Sequence, residues 1–214
     1  MKKTLIALAL IAAGSAQAAT ISFSDSHGLA TTNWSEALTL QQFDSTLGTL
    51  NSVTLSYGGS VSSIFRVESL DAAPATVTAN ASASLVFGGP ISDTLAISRS
   101  TSQSVGAFDG SIDFGGTSGA IIGPVLGSDA DTLTLLSGLG AFIGAGTYDI
   151  LVAANGASSA TGAGNLISQI NTEAFAEITV TYDYTARVTQ VPEPASMALV
   201  GLGMLGLAAV RRRK

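Results

Sequence analysis

Alternating apolar and polar residues dominate the chain between residues 19 and 190. Every second residue is apolar in residues 77–85, VTANASASL, and residues 176–185, AEITVTYDYT, repeat the pattern. A period of two is typical of a half-buried strand, because successive side chains point to opposite faces. The inward sets are predicted to be Val77, Ala79, Ala81, Ala83 and Leu85 in the first segment, and Ala176, Ile178, Val180, Tyr182 and Tyr184 in the second.

Shorter apolar runs and glycine-rich turn signals extend this pattern over most of the chain. The runs contain Val53, Leu55 and Tyr57; Leu95 and Ile97; Leu133 and Leu135; and Ile150 and Val152. The turn signals are Tyr57-Gly58-Gly59, Gly88-Gly89-Pro90, Asp109-Gly110, Gly115-Gly116, Asn155-Gly156 and residues 162–164. Several short strands with such punctuation predict an all-β fold, an antiparallel β-sandwich of jelly-roll or immunoglobulin-like type. Residues 33–40 are the one place where a short helical turn is predicted, and residues 118–146 show the least regular pattern.

The first eighteen residues, MKKTLIALALIAAGSAQA, have the features of a cleaved secretory signal. Two lysines precede an apolar run, which is predicted to form the signal helix, and Ala16-Gln17-Ala18 supplies an A-x-A cleavage site. Signal peptidase is therefore expected to cut after Ala18. An exported body is predicted over residues 19–190.

The last 24 residues, VPEPASMALVGLGMLGLAAVRRRK, combine three features in order. The prolines of Val191-Pro192-Glu193-Pro194 keep the chain extended, which is a form that a peptidase can grip. Residues 195–210 carry no charge and approach the length of about twenty residues that a transmembrane helix needs. The basic end, Arg211, Arg212, Arg213 and Lys214, stops transfer and keeps the C-terminus in the cytoplasm. The tail is thus predicted to hold the protein in the inner membrane until it is processed.

The body is strongly acidic once both ends are set aside. Residues 19–190 contain three arginines, no lysine and fourteen acidic residues, which gives a formal charge of −11. Nucleic acids are excluded as partners, because their phosphates must be neutralised by basic residues. The chain also has no cysteine, so its stability is expected to come from a core and not from disulfides.

Catalytic and metal-binding constellations are sparse. His27, the one histidine, lies in Asp25-Ser26-His27 without a nucleophile elbow, so a solvated turn is expected instead of a triad. Neither a cofactor nor a catalytic residue is predicted. Two carboxylate pairs are predicted to lie in Gly- and Ser-rich loops, Asp109 with Asp113 and Asp129 with Asp131, and are candidates for calcium. Aspartate is also a common turn residue, and that interpretation is favoured over a metal site.

Two family resemblances follow from these segments. Val191 to Pro194, the apolar run and the basic end resemble the PEP-CTERM sorting signal, which membrane transpeptidase-like exosortases of Gram-negative bacteria read. The body resembles the choice-of-anchor E domain, an extracellular β-rich module joined to differing C-terminal sorting signals. That second resemblance rests on residues 42–55, 67–70, 158–166 and 176–184. It implies a location at the surface or in the matrix alongside exopolysaccharide, and it supplies no catalytic residues.

Together these features predict an exported, non-enzymatic protein with a structural or adhesive role at the cell surface or in a biofilm matrix. The expected partners are signal peptidase, an exosortase-like membrane peptidase and exopolysaccharide. A carbohydrate- or calcium-binding lectin-like module is the alternative.

Overall fold

The computed structural model describes residues 18–187, and this part of the chain is all-β. Its strands are β1 Ala18–Thr31, β2 Trp34–Gln41, β3 Gly48–Ser69, β4 Ala75–Gly88, β5 Asp93–Val105, β6 Gly119–Leu135, β7 Thr147–Gly156, β8 Ser159–Thr161 and β9 Leu166–Ala186. A short 3-10 helix, Leu139–Phe142, lies between β6 and β7. From residue 18 to residue 187 no helix has the length and apolar character needed to cross a membrane.

The strands form two antiparallel sheets. Sheet A has the order β1-β9-β3-β6 and sheet B the order β2-β7-β4-β5, with β8 pairing with β4. The first four strands therefore pair with later ones in reverse order: β1 with β9, β2 with β7, β3 with β6 and β4 with β5. Such a long hairpin folded over into two sheets is the jelly-roll arrangement, which agrees with one of the two predicted sandwich types.

One apolar core lies between the two sheets, and it uses the faces that the alternation predicts. Val77, Ala79, Ala81 and Leu85 are fully buried on β4, and Ile178, Val180 and Tyr182 are fully buried on β9. Burial of this kind is the main favourable term in folding, at about 25 cal/mol per Å² of apolar surface. The predicted faces of both segments are thus confirmed.

Aromatic residues close the core at one end. Tyr182 lies 5.8 Å from Phe43 and 6.2 Å from Phe23, measured between ring centroids. The Tyr182 hydroxyl is also satisfied, because it donates to the carbonyl oxygen of Gln41 at 2.7 Å. A buried tyrosine needs such a partner for its polar end.

Several predicted turns are wrong, because their residues lie in strands. Tyr57-Gly58-Gly59 is not a turn but the middle of β3. A Cβ on Gly59 would come within 2.2 Å of the Leu85 Cδ1 and 2.3 Å of the Phe175 carbonyl oxygen. The glycine therefore permits β4 and β9 to approach β3 closely. Residues 33–40 are not a helical turn but belong largely to β2, where pairing with β7 overrides local preference. Asn155-Gly156 likewise ends β7.

Both chain ends of the described body lie at the same end of sheet A. Ala18 is paired with Thr185, and Gly48 is paired with Ala186. We call this end the base, and the opposite end, with the loops 70–74, 106–118 and 162–165, the tip. The predicted signal helix, the transmembrane helix at 195–210 and its flanking motifs lie outside the described residues, apart from Ala18, which begins β1.

Candidate functional site

Asp109 and Asp113 lie in the tip loop between β5 and β6, and their carboxylates bind their own backbone. Asp109 Oδ1 accepts from the Ser111 N–H at 3.1 Å, and its Oδ2 accepts from the Thr117 N–H at 3.2 Å. Asp113 Oδ1 accepts from the Gly115 N–H at 2.9 Å. The backbone hydrogen bond from Ser111, followed by that from Thr117, lowers the pKa of Asp109. This is turn chemistry of the kind that the sequence favoured over calcium.

Glu68 is a buried carboxylate that the sequence analysis did not single out. Its side chain is fully buried on β3, and its Oε1 accepts from the Ser118 hydroxyl at 2.6 Å while its Oε2 accepts from the Phe114 N–H at 2.7 Å. Both donors belong to the stretch that closes the 106–118 loop. A buried carboxyl group is costly unless it is hydrogen-bonded, and these two bonds offset that cost. They also tie the loop to the end of β3. In sequence Glu68 looks like one more polar strand residue.

Asp129 and Asp131 are not in a loop, as predicted, but in β6. They pair with Gly59 and Tyr57 of β3, and each carboxylate accepts from the N–H of the next residue, Ala130 at 2.9 Å and Thr132 at 2.6 Å. The two predicted acidic pairs therefore lie apart, one at the tip and one along an edge strand. Between residues 18 and 187 no three acidic or histidine side chains are grouped closely enough to hold a metal ion.

Beside the edge strands β5 and β6, a tyrosine–carboxylate pair that the sequence did not reveal joins β3 to β5. The Tyr57 hydroxyl donates to Asp93 Oδ2 across the two sheets. This hydrogen bond, together with burial and the nearby charge of Asp131, raises the pKa of Tyr57 to about 12. The same bond lowers the pKa of Asp93. The pair connects sheet A to sheet B at this edge.

His27 does not lie in a turn, as predicted, but in β1, where its ring packs on Trp34 with 4.3 Å between centroids. Its neighbour Asp25 is engaged elsewhere: Oδ1 accepts from the Ser26 N–H and Oδ2 from the Thr39 N–H, both at 2.8 Å. A catalytic triad requires an acid that orients the histidine and a histidine that reaches the nucleophile. The hydrogen bond that Asp25 accepts from Thr39 instead joins the edge strands β1 and β2.

The outer face of sheet A carries a regular array of hydroxyl groups. Two rows cross all four strands: Ser22, Thr181, Thr54 and Thr134 form the first, and Ser24, Thr179, Ser56 and Thr132 form the second. Hydroxyl pairs join neighbouring strands, with Ser22 and Thr181 at 2.8 Å, Thr54 and Thr134 at 3.1 Å, and Ser56 and Thr132 at 3.3 Å. We call these eight residues the hydroxyl array.

The outer face of sheet B is also rich in hydroxyls but is less uniform. Thr78 and Ser102 pair at 3.0 Å, and Asn80 Oδ1 accepts from Ser98 and Ser100. Towards β7 this face becomes apolar, since Val86 and Leu151 are 39% and 54% exposed. Uninterrupted rows of hydroxyls across a whole sheet are therefore a feature of sheet A.

A family model provides the clearest functional assignment. Residues 190–214 match the PEP-CTERM protein-sorting motif, a range one residue longer than the tail expected from sequence. The match covers Val191 to Pro194, the apolar run and the basic end. This motif marks a protein that is exported, held transiently in the membrane and processed by an exosortase.

No curated protein matches the chain. Among solved structures, that of infectious bursal disease virus strain Gx is 12% identical to this chain, with a TM-score of 0.13; the match covers 87% of this chain and 47% of the viral chain. That of strain Gt is 13% identical, with a TM-score of 0.11; the match covers 89% of this chain and 48% of the viral chain. A T13 particle of the same virus is 10% identical, with a TM-score of 0.16 and coverage of 98% and 51%. The chain spans about half the length of these structures, and scores this low carry no argument. The resemblance of the body to the choice-of-anchor E domain stays a prediction.

Proposed function

We propose that this protein is a non-catalytic structural or adhesive component of the bacterial surface or of its exopolysaccharide matrix. The observation that carries the proposal is the sorting motif at residues 190–214, which follows β9 after only residues 187–189. A folded body so close to its processing site is released or attached by its base. The tip and both outer sheet faces then remain available to the surroundings.

The side chains of the body support a non-catalytic role. Asp109 and Asp113 bind their own loop, Glu68 holds that loop in place, and Asp25 joins two edge strands. General acid–base catalysis requires a group free to exchange a proton with a substrate. These carboxylates instead serve as hydrogen-bond acceptors for the fold.

The order of events follows from the signals and the topology. Lys2, Lys3 and the apolar run begin export, residues 195–210 stop it, and residues 211–214 fix the orientation. β9 is a central strand of sheet A and the last to leave the membrane, so sheet A is completed only when export reaches the sorting tail. Exosortase then acts on Val191 to Pro194 beside a folded base.

A carbohydrate- or calcium-binding lectin-like module is the second candidate. Its carbohydrate half is favoured by the hydroxyl array, whose groups donate and accept hydrogen bonds as sugar hydroxyls do. Its calcium half has less support, because the four candidate aspartates are separated into two pairs that bond to backbone N–H groups.

The sorting step is tested by intact mass spectrometry of the native protein from envelope and medium fractions, with and without exosortase. We expect a mass that lacks the first eighteen residues and the tail, seen only when the enzyme is present. Replacing Pro192 and Pro194 by alanine should preserve the full tail. If residues 211–214 remain attached in every fraction of normal cells, the tail is a permanent anchor and the proposed sorting is wrong.

The matrix role is tested separately by fractionation. Cells that produce the processed protein should retain it in the extracellular matrix, and enzymatic removal of exopolysaccharide should release it. A protein that is fully soluble in the medium while the matrix is intact would contradict the structural role and leave the sorting result unaffected.

A further inference from the structure

We propose that the hydroxyl array on the outer face of sheet A binds a neutral, extended polysaccharide that runs across the strands. The inference rests on the proposed matrix function and names the surface and the chemistry of the partner. Its eight residues are Ser22, Ser24, Thr54, Ser56, Thr132, Thr134, Thr179 and Thr181, all exposed or half-buried.

The spacing of the array fits a polymer with one hydroxyl-bearing unit per strand. Paired strands lie about 4.8 Å apart in a sheet, so each row presents four hydroxyls at that interval. This interval is close to the rise per sugar of an extended β-linked glycan. Because neighbouring strands are rotated by about 20–25°, the rows twist as they cross the sheet. A ribbon-like polymer can follow this twist, whereas a flat crystalline surface cannot.

The hydrogen-bonding capacity of the array matches that of a sugar. A hydroxyl has one donor and two acceptor positions, so a hydroxyl pair such as Ser22 with Thr181 keeps one free donor and three free acceptors. Glycan hydroxyls likewise need both kinds of partner. Acidic side chains alone would offer acceptors only.

The array is held ready for binding. Five of its eight residues are threonines, whose branching at Cβ restricts χ1, and six of the eight are joined in hydroxyl pairs. β3 and β9, the two central strands of sheet A, supply four of the residues. Little side-chain entropy is therefore lost on binding, which is a main cost of association. Single hydrogen bonds contribute little in water, but repeated contacts with one polymer chain reinforce each other.

Charge selects a neutral glycan over an acidic one. No charged residue lies within the two rows, but Asp183 continues the array on one side and Glu177 on the other. The body carries −11 in total, and only three arginines offset its acidic residues. A polyanionic polysaccharide would be repelled by this field, while an uncharged one meets no such barrier.

The test uses the processed protein, purified after its release from the extracellular matrix, and two forms of one β-1,4-linked glucan. The hydroxyethyl form is neutral and the carboxymethyl form is anionic, so they differ in charge on a shared backbone. Affinity electrophoresis in gels that contain either polymer measures binding. We expect the neutral form to retard the unmodified protein in the gel. At low polymer concentration, this retardation should be at least tenfold weaker in a variant with Thr54→Val, Thr134→Val, Thr179→Val and Thr181→Val. Valine keeps the shape and strand preference of threonine and removes the hydroxyl.

The matched control replaces four exposed or half-buried threonines of sheet B, Thr76, Thr78, Thr94 and Thr161, by valine. It should bind as the unmodified protein does, and thermal unfolding should show that both variants are folded. The proposal is overturned if the unmodified protein ignores the neutral glucan, if it prefers the carboxymethyl form, or if both variants lose binding equally. Failure of the matrix proposal would appear differently, as protein that is fully soluble in the medium while the matrix is intact.

Discussion

Replacing Gly59 by alanine tests the close approach of β3 to its neighbours. A Cβ at this position would lie 2.2 Å from the Leu85 Cδ1 and 2.3 Å from the Phe175 carbonyl oxygen. The leucine methyl can rotate away, but the carbonyl belongs to the backbone of β9, which pairs with β3 along its length. Relief therefore requires the two central strands of sheet A to move apart by about 1 Å near the middle of the core.

The expected cost is a loss of about 2 kcal/mol in the free energy of unfolding. Overpacking in a core costs about 1–3 kcal/mol, and the clash with backbone places Gly59→Ala in the upper part of that range. Loss of glycine's freedom in the unfolded chain returns about 0.4–1 kcal/mol. Urea unfolding, followed by the fluorescence of Trp34, should show the midpoint lowered by about 1 M for a slope of about 2 kcal/mol per M.

Gly28→Ala is the matched control, because Gly28 lies in β1 and no atom stands within 4 Å of the position that its Cβ would take. This variant should be as stable as the unmodified protein or slightly more stable. If Gly59→Ala unfolds within about 0.5 kcal/mol of the unmodified protein, the close packing of β3, β4 and β9 is not what selects glycine at this site.

Three further predictions concern the carboxylates. Glu68→Gln should lower the free energy of unfolding by about 1–3 kcal/mol in urea, because one buried donor loses its acceptor. Glu36→Gln, at an exposed side chain of β2, should have no effect, and equal effects would contradict the loop-closing role of Glu68. The raised pKa of Tyr57 favours its neutral form in the folded state, so its contribution to the free energy of unfolding should be present below pH 10 and lost towards pH 12. In a tyrosinate absorbance titration, Asp93→Asn should move the Tyr57 ionisation to lower pH. An unchanged curve would refute the assignment. Added calcium should leave the thermal unfolding temperature unchanged both in the unmodified protein and in Asp109→Asn, because the Asp109 carboxylate already accepts backbone hydrogen bonds. A calcium-dependent rise in the unfolding temperature of the unmodified protein alone would restore the metal interpretation.

Local pattern was sufficient wherever a property depends on neighbouring residues in the chain. The alternation in residues 77–85 and 176–185 identified two core strands and the faces that they bury. The tail at residues 191–214 was readable because a proline-containing segment, an apolar run and a basic end follow one another in linear order. Asp109 and Asp113 were expected to favour turn chemistry, which depends on residues only a few positions away.

The tertiary structure decided everything that depends on which strands become neighbours. A period of two tells which face a residue occupies, but it carries no information about the partner strand. The sequence alone therefore identified neither the burial of Glu68 under a loop fifty residues later, nor the bond between Tyr57 and Asp93, nor the position of Gly59 inside a 22-residue strand. The hydroxyl array depends on the same cause. Its serines and threonines come from four separate segments, and only the pairing of β1, β9, β3 and β6 aligns them in rows.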